Sequence, residues 1–270
     1  MEKGIRISNK EYREREGVSS SDLKKLMKSP AHFRYWKDNP QEDTPALLLG
    51  RACHKYVLET YDFYNEFAVA PNCDRRTKDG KAQWSLFCDQ NEGKDIITEE
   101  QFEQIEAMRN AAYATPFVSK LLSGEKELSF FGTDEETGLA IKCRPDCITE
   151  VDGNYILIDY KTCNDAEDMK FYRDSIKFGY DLQMAYYMDI LQKVTGKEFQ
   201  VVIIAQEKTA PYAVNVFELT EDYLENGRDL YKELLNVYKE CSETDNWYGY
   251  MKNGISILGQ PDDEDMESEE

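Results

Sequence analysis

Apolar positions keep a helical period through much of the first half of the chain and shift to a strand period in the second. Residues 19 to about 60 read as helical. Ser21 stands where an N-cap would, before DLKKLMKS, and Pro30 ends that helix or starts the next. A loop runs from Asn39-Pro40 to Pro45. Next, ALLLGRACHKYVLE carries apolar residues at 46, 49, 53, 57 and 58, the spacing of one helix face. Residues 62–97 have little period and are punctuated by Pro71, Asp79-Gly80 and Gly93, so they read as a loop-rich insertion. Helix returns over 98–122: Thr98 caps, Gln101 takes the capping-box position, and Phe102, Ile105 and Met108 follow at helical spacing. Thr115-Pro116 breaks this stretch and Gly124 ends it.

Beyond Gly124 the period shortens. Segments 127–132, 139–151 and 155–161 read as three consecutive strands, joined by turns at Thr137-Gly138 and Asp152-Gly153-Asn154. Helices follow over about 166–177 and 180–194, the second stopped by Gly196. Two more strands, 200–208 and 212–219, flank Pro211, and Thr220 caps a last helix to about Cys241. This order predicts an α/β domain with a mixed central sheet flanked by helices. Residues 1–97 form an N-terminal helical region and insertion belonging to the same domain, 98–241 its core, and 242–270 a C-terminal segment.

Charge changes the picture only in part. The chain has 270 residues, 53 acidic and 33 basic, for a formal net charge of −20. The last ten, PDDEDMESEE, carry seven carboxylates and no cation, and without them the charge is −13. Such a tail is expected to be disordered, because its carboxylates repel and nothing apolar offsets the ordering entropy. An acidic chain looks like a poor partner for nucleic acid, but net charge describes a mean field and not a site. DNA binding would then need a locally basic channel. The longest aliphatic run, 201–205, is far short of the roughly 20 residues of a membrane span. The N-terminus is charged and lacks the apolar core of a secretory signal. With seven cysteines, an odd number, a reduced, cytoplasmic protein is expected.

The chemistry concentrates in Arg144-Pro145-Asp146 and, thirteen residues after Asp146, Asp159-Tyr160-Lys161. Asp159 and Lys161 share one face of a strand, while Ile156 and Ile158 take the other. An antiparallel hairpin through Asp152-Gly153-Asn154 would bring Asp146 beside Asp159. Two converging carboxylates make a hard oxygen site of the kind Mg²⁺ prefers. Such an ion activates water and polarises a phosphodiester. Lys161 would orient or activate that water and stabilise charge on the phosphorane, and burial is one force that could depress its pKa. Cys143 and Cys147 straddle Asp146 but read as packing residues rather than a zinc pair.

Pro145-Asp146…Asp159-Tyr160-Lys161 resembles the PD-(D/E)xK nuclease signature, and residues 18 to 240 resemble the RecE-type phage exonucleases, related to lambda exonuclease and the RecB nuclease domain. His54 in LLLGRACHKYVLE matches that group's helical metal ligand. Glu127 matches its acidic residue before the first core strand. Gln183 and Tyr187 in GYDLQMAYYMDIL match its Q-x-x-x-Y helix, which meets DNA. SSSDLKKLMKSPAHFRYW is also typical. The resemblance implies a restriction-endonuclease-like fold, with Mg²⁺ (Mn²⁺ substituting) held by His54, Asp146, Asp159 and the Tyr160 carbonyl. It implies catalytic roles for Asp146, Asp159, Lys161 and Glu127, and strand contacts from Gln183 and Tyr187. Arg144 and the basic run RRTKDGK, with Arg75 and Arg76, are further DNA-contact candidates; a solvated loop is the other reading of the run. The implied activity is processive 5′→3′ digestion of linear duplex DNA, leaving 3′ tails for a RecT-type annealing protein. A ring-shaped homo-oligomer and a phage or prophage setting in a bacterial cytoplasm go with it. The middle carboxylate is Asp where Glu is commoner. Only Cys241 lies beyond Cys163, so the C-x-x-C pair of the iron–sulfur relatives is absent. Two rival readings are an endonuclease of the same fold and a non-catalytic acidic DNA mimic.

Overall fold

A computed structural model describes residues 3–39 and 44–250 of the chain. The acidic tail and most of the loop before Pro45 lie outside the described residues. The N-terminal region holds α1 (Asn9–Glu14), α2 (Ser20–Leu26), α3 (Pro30–Asp38) and α4 (Pro45–Leu58). A 3-10 turn (Thr60–Asp62), α5 (Phe63–Glu66), β1 (Phe67–Val69), α6 (Lys78–Gln90) and β2 (Asp95–Ile97) follow. Next come α7 (Glu99–Ala114), α8 (Pro116–Leu121), β3 (Glu125–Lys126), β4 (Phe130–Thr133), β5 (Ala140–Cys143), β6 (Cys147–Val151) and β7 (Asn154–Cys163). The chain continues through α9 (Asp168–Lys177), α10 (Tyr180–Thr195), β8 (Phe199–Glu207), β9 (Val214–Glu218) and α11 (Glu221–Thr244). None of the described helices is long and apolar enough to cross a membrane.

The central sheet has the order β3-β6-β7-β8-β9, with β7 and β8 parallel and the other neighbours antiparallel. Both faces are covered, so its middle strands read as unbroken apolar runs. Leu157, Val201 and Ile203 face a core built with α2, α10 and α11. Ile156, Ile158, Val202 and Ile204 face a second core built with α4, α7 and α8. The strand period of two thus sorts successive residues into opposite layers. The mixed α/β sheet expected from the sequence is the one observed.

Several local expectations change. Residues 139–151 are two strands, not one. Pro145 has no N–H to give a ladder and restricts the residue before it. β5 pairs with β4 in a separate ladder, and β6 joins the central sheet. Residues 62–97 are not mainly loop. β1 and β2 pair in parallel, and Thr77 caps the thirteen-residue α6 between them. That helix hides from a periodicity search because its one buried residue is Gly80, while Leu86 is exposed. A Cβ on Gly80 would overlap the Asp74 carbonyl, so this glycine serves close packing rather than a turn. The N-cap of α2 is Ser19 and not Ser21. Its hydroxyl accepts from the Asp22 N–H, and the Asp22 carboxylate accepts in return from the Ser19 N–H at 3.0 Å. Thr98 with Gln101, Thr220 and Gly196 cap as the sequence indicates.

Candidate active site

The site lies where the two layers meet the ends of β6 and β7. Cys147 pairs with Ile158, so the residue before Cys147 comes level with Asp159. There Asp146 accepts the Tyr160 backbone N–H on Oδ2 at 2.7 Å. From the second layer, α4 delivers His54, whose Nε2 is 3.0 Å from the same Asp146 oxygen. His54 Nδ1 is 3.7 Å from Glu127 Oε1. Glu127 holds a left-handed backbone (φ 54°) in the bend between β3 and β4, off the strand predicted for it. A non-glycine residue there carries strain, a cost of about 1–3 kcal/mol.

Asp159 is fully buried and its two oxygens differ. Oδ1 accepts from Gln183 Nε2 at 2.9 Å. Oδ2 is paired with the Lys161 ammonium, 2.5 Å from its Nζ. One ligand atom from each of His54, Glu127 and Asp146 lies within 4.8 Å of the other two. Carboxylate oxygens with one imidazole nitrogen form a donor set that fits a divalent ion.

Electrostatics follow from this crowding. Burial opposes charge on His54, but Asp146 and Glu127 outweigh it and lift its pKa to about 9. Burial, with the nearby Asp146 charge, pushes Glu127 up to about 7 against the pull of His54. Asp146 is buried too, yet the His54 pair, Lys161 and the Tyr160 N–H hold it below the usual range. Burial opposes the Lys161 charge, but Asp159 and Asp146 bind its proton and raise it. The depression that burial alone would bring to Lys161 is therefore reversed, because two carboxylates outweigh desolvation. The two carboxylates thus favour its ammonium form.

These groups open on a cleft of about 790 Å³. His54, Glu127, Tyr160 and Lys161 line it, while the more deeply buried Asp146 and Asp159 contact those residues instead. Among the described lining residues six are Lys or Arg, including Arg13, Arg51, Lys177 and Lys208, against four carboxylates. With Asp146 and Asp159 just behind them the charges balance, and Lys55, Arg51 and Lys161 are held in ion pairs, so the cleft is mixed in charge where the chain as a whole is acidic.

Of the residues the sequence singles out, His54, Glu127, Asp146, Asp159, Lys161 and Gln183 come together, and the Tyr160 backbone joins them. The Tyr160 side chain instead packs in the second core and donates to Gln206. Tyr187 is buried, its hydroxyl 3.4 Å from Ser20 Oγ, and does not line the cleft. Arg144 needs correcting. Its guanidinium donates to Ser129 Oγ, Asn9 Oδ1 and the Ile7 and Ser8 carbonyls, and stacks on Tyr12. Those bonds pin the N-terminal segment and turn its donors inward, away from any phosphate. Arg75 lies over the Trp84 ring and Arg76 pairs with Asp74, and neither lines the cleft.

Sequence reasoning missed Lys24 and Tyr180. Lys24 Nζ donates to Gln183 Oε1 at 2.5 Å, and both Lys24 and Lys161 stand about 5 Å from the Tyr180 ring centroid. Lys24 and Lys25 look alike in DLKKLM. Only the docking of α2 on α10 separates them.

Comparisons with known proteins agree with this geometry. No curated protein matches the chain. A crystal structure from Eubacterium rectale, described as "Putative exonuclease", superposes with a TM-score of 0.61 at 18% identity, over 94% of this chain and 97% of that one. A second structure, SSO0001, reaches only 0.31 at 14% identity, over 73% of this chain and 87% of that one, too low a score to bear on the fold. Residues 19–253 match the family described as "PDDEXK-like domain of unknown function". With that match over most of its length, and with Asp146, Asp159 and Lys161 at one cleft, the chain belongs to the PDDEXK-like family and is a nuclease of the PD-(D/E)xK superfamily.

Proposed function

We propose that the protein is a Mg²⁺-dependent exodeoxyribonuclease, Mn²⁺ substituting, that digests linear duplex DNA from its ends. The observation that carries this is the convergence of His54, Glu127 and Asp146 beside buried Asp159 and Lys161. His54, Glu127, Asp146 and Asp159, with the Tyr160 carbonyl, would hold the cation. When bound, the cation lowers the pKa of the attacking water and polarises the phosphodiester. Lys161, paired with Asp159, would orient the water and stabilise negative charge on the phosphate oxygens. Gln183 holds Asp159 in place.

The finer reading is 5′→3′ processive digestion leaving 3′ tails for an annealing protein, by a ring-shaped oligomer of phage origin in a bacterial cytoplasm. The order of the motif residues supports it, as does the likeness in fold to a protein described as an exonuclease. The test incubates pure protein and Mg²⁺ with 5′- or 3′-labelled linear duplex and with closed circular DNA. Loss of 5′ label as mononucleotide, with circles intact, is expected. Cut circles would replace this reading with the endonuclease one, and intact linear DNA would end both.

A further inference from the structure

Lys24 reaches the catalytic centre from α2, more than a hundred residues away in sequence from the groups it serves. Its Nζ donates to Gln183 Oε1 at 2.5 Å, and Gln183 Nε2 donates to Asp159 Oδ1 at 2.9 Å. An amide has one acceptor and two donors at its end, whereas an ammonium has donors only. In its charged form Lys24 thereby admits one orientation of Gln183, oxygen towards α2 and NH₂ towards Asp159. With the amide reversed, its oxygen would face the Asp159 carboxylate, two acceptors with no proton between them, and Lys24 would face NH₂. The fixed orientation satisfies Oδ1 and leaves Oδ2 to the Lys161 ammonium, 2.5 Å away.

The position is built for this. Ser19 and Asp22 cap α2 reciprocally one turn earlier, and Leu23 and Leu26 anchor it in the core shared with α10. Lys24 is also held on the Tyr180 ring, 4.9 Å from its centroid. Burial, and next the charge of Lys161, lowers its pKa to about 7, against the support of Asp159 and Asp181. A cation that costly to bury at a surface-accessible helix needs a local reason, and the amide it orients supplies one.

We propose that Lys24 is a positioning residue that fixes the Gln183 amide, and through it the orientation of the Asp159 carboxylate, and so sets the affinity of the site for a divalent cation. The inference rests on the metal-dependent reading above. Partners of this kind, one contact removed from a ligand, typically change metal affinity by about 10–100-fold when lost.

The test is calorimetric titration of Mn²⁺ into the full-length protein without DNA, for wild type, Lys24→Met, Lys24→Arg, Gln183→Leu, Asp159→Asn and the Lys24→Met/Gln183→Leu pair. Lys24→Met is expected to weaken Mn²⁺ binding about tenfold. Lys24→Arg, which also offers donors only, restores it. The double variant matches Gln183→Leu alone, since both act through one amide. Should Lys24→Met not fold, Lys24→Gln carries the same expectation, because an amide presents either atom and no longer fixes its neighbour. Wild-type affinity in Lys24→Met or Lys24→Gln beside weakened Asp159→Asn would overturn the inference alone, as would additive effects in the double variant. Wild-type affinity in Asp159→Asn would overturn the ligand assignment and this inference with it.

Discussion

Replacing Arg144 by Met separates a structural arginine from a DNA-contacting one. The substitution keeps an apolar stem and removes every donor. Ser129 Oγ at 2.8 Å, Asn9 Oδ1 at 2.7 Å and the Ile7 and Ser8 carbonyls at 3.1 and 3.3 Å lose their partner. Ser129 is fully buried and cannot turn to water, whereas the N-terminal acceptors are partly exposed and recover some hydration. Leaving one buried partner unsatisfied costs about 1–3 kcal/mol, and hydrogen bonds to a charged group are worth about 1.5–3 kcal/mol each. Losses in one network do not add in full, so about 3 kcal/mol is expected. At about 2–4 °C per kcal/mol for a chain of this size, melting falls by roughly 6–12 °C. The assay is thermal unfolding beside the salt dependence of DNA binding. Loss of a phosphate contact would reduce the slope of log affinity against log salt by about 0.9, and the structure predicts no such change. A slope reduced by about one with melting unaltered would refute the inward assignment.

Other outcomes follow from the same geometry. In metal-free protein the chain's two histidines can be told apart by NMR, and His54 is expected to titrate near 9, falling towards 6.5 in Asp146→Asn. A base raised in the folded state stabilises fully below its unfolded value, so the His54 contribution is intact below pH 6.5 and lost as pH rises through 9. A His54 value near 6.5 in the wild type would contradict the pairing. Cation binding must displace that proton, so Mg²⁺ affinity should rise with pH up to the same region, read by titration at several pH values. Gly80→Ala should cost about 1–3 kcal/mol in urea unfolding, because its methyl meets the Asp74 carbonyl. Wild-type stability there would mean that α6 shifts freely.

What the sequence made legible depended on the range of the forces involved. Asp159 and Lys161 share a face by the period of a strand, and a three-residue turn fixes Asp146 opposite. Both are local rules. His54, Glu127 and Gln183 carried no such local signal, and only their order along the chain pointed to the site. Arg144 looked like a free cation because its acceptors lie about 15 to 137 residues away. Lys24 is the same problem in reverse, a solvated-looking lysine drawn inward by helix docking. The strand expected at 139–151 failed at Pro145, a breaker inside an otherwise regular run, and that break lets Asp146 leave the ladder to face His54. One departure from local pattern thus falls at the site itself, where Glu127 also keeps a strained backbone.

The central claim is that Asp159 and Lys161 form a metal-dependent centre for phosphodiester cleavage. Single-turnover digestion of end-labelled linear duplex tests it, with wild type, Asp159→Asn and Lys161→Met each assayed in EDTA and in Mg²⁺. The account predicts cleavage only by wild type in Mg²⁺, with each variant slower by about 10²–10³-fold or more. Cleavage in EDTA, or a wild-type rate in either variant, would contradict it.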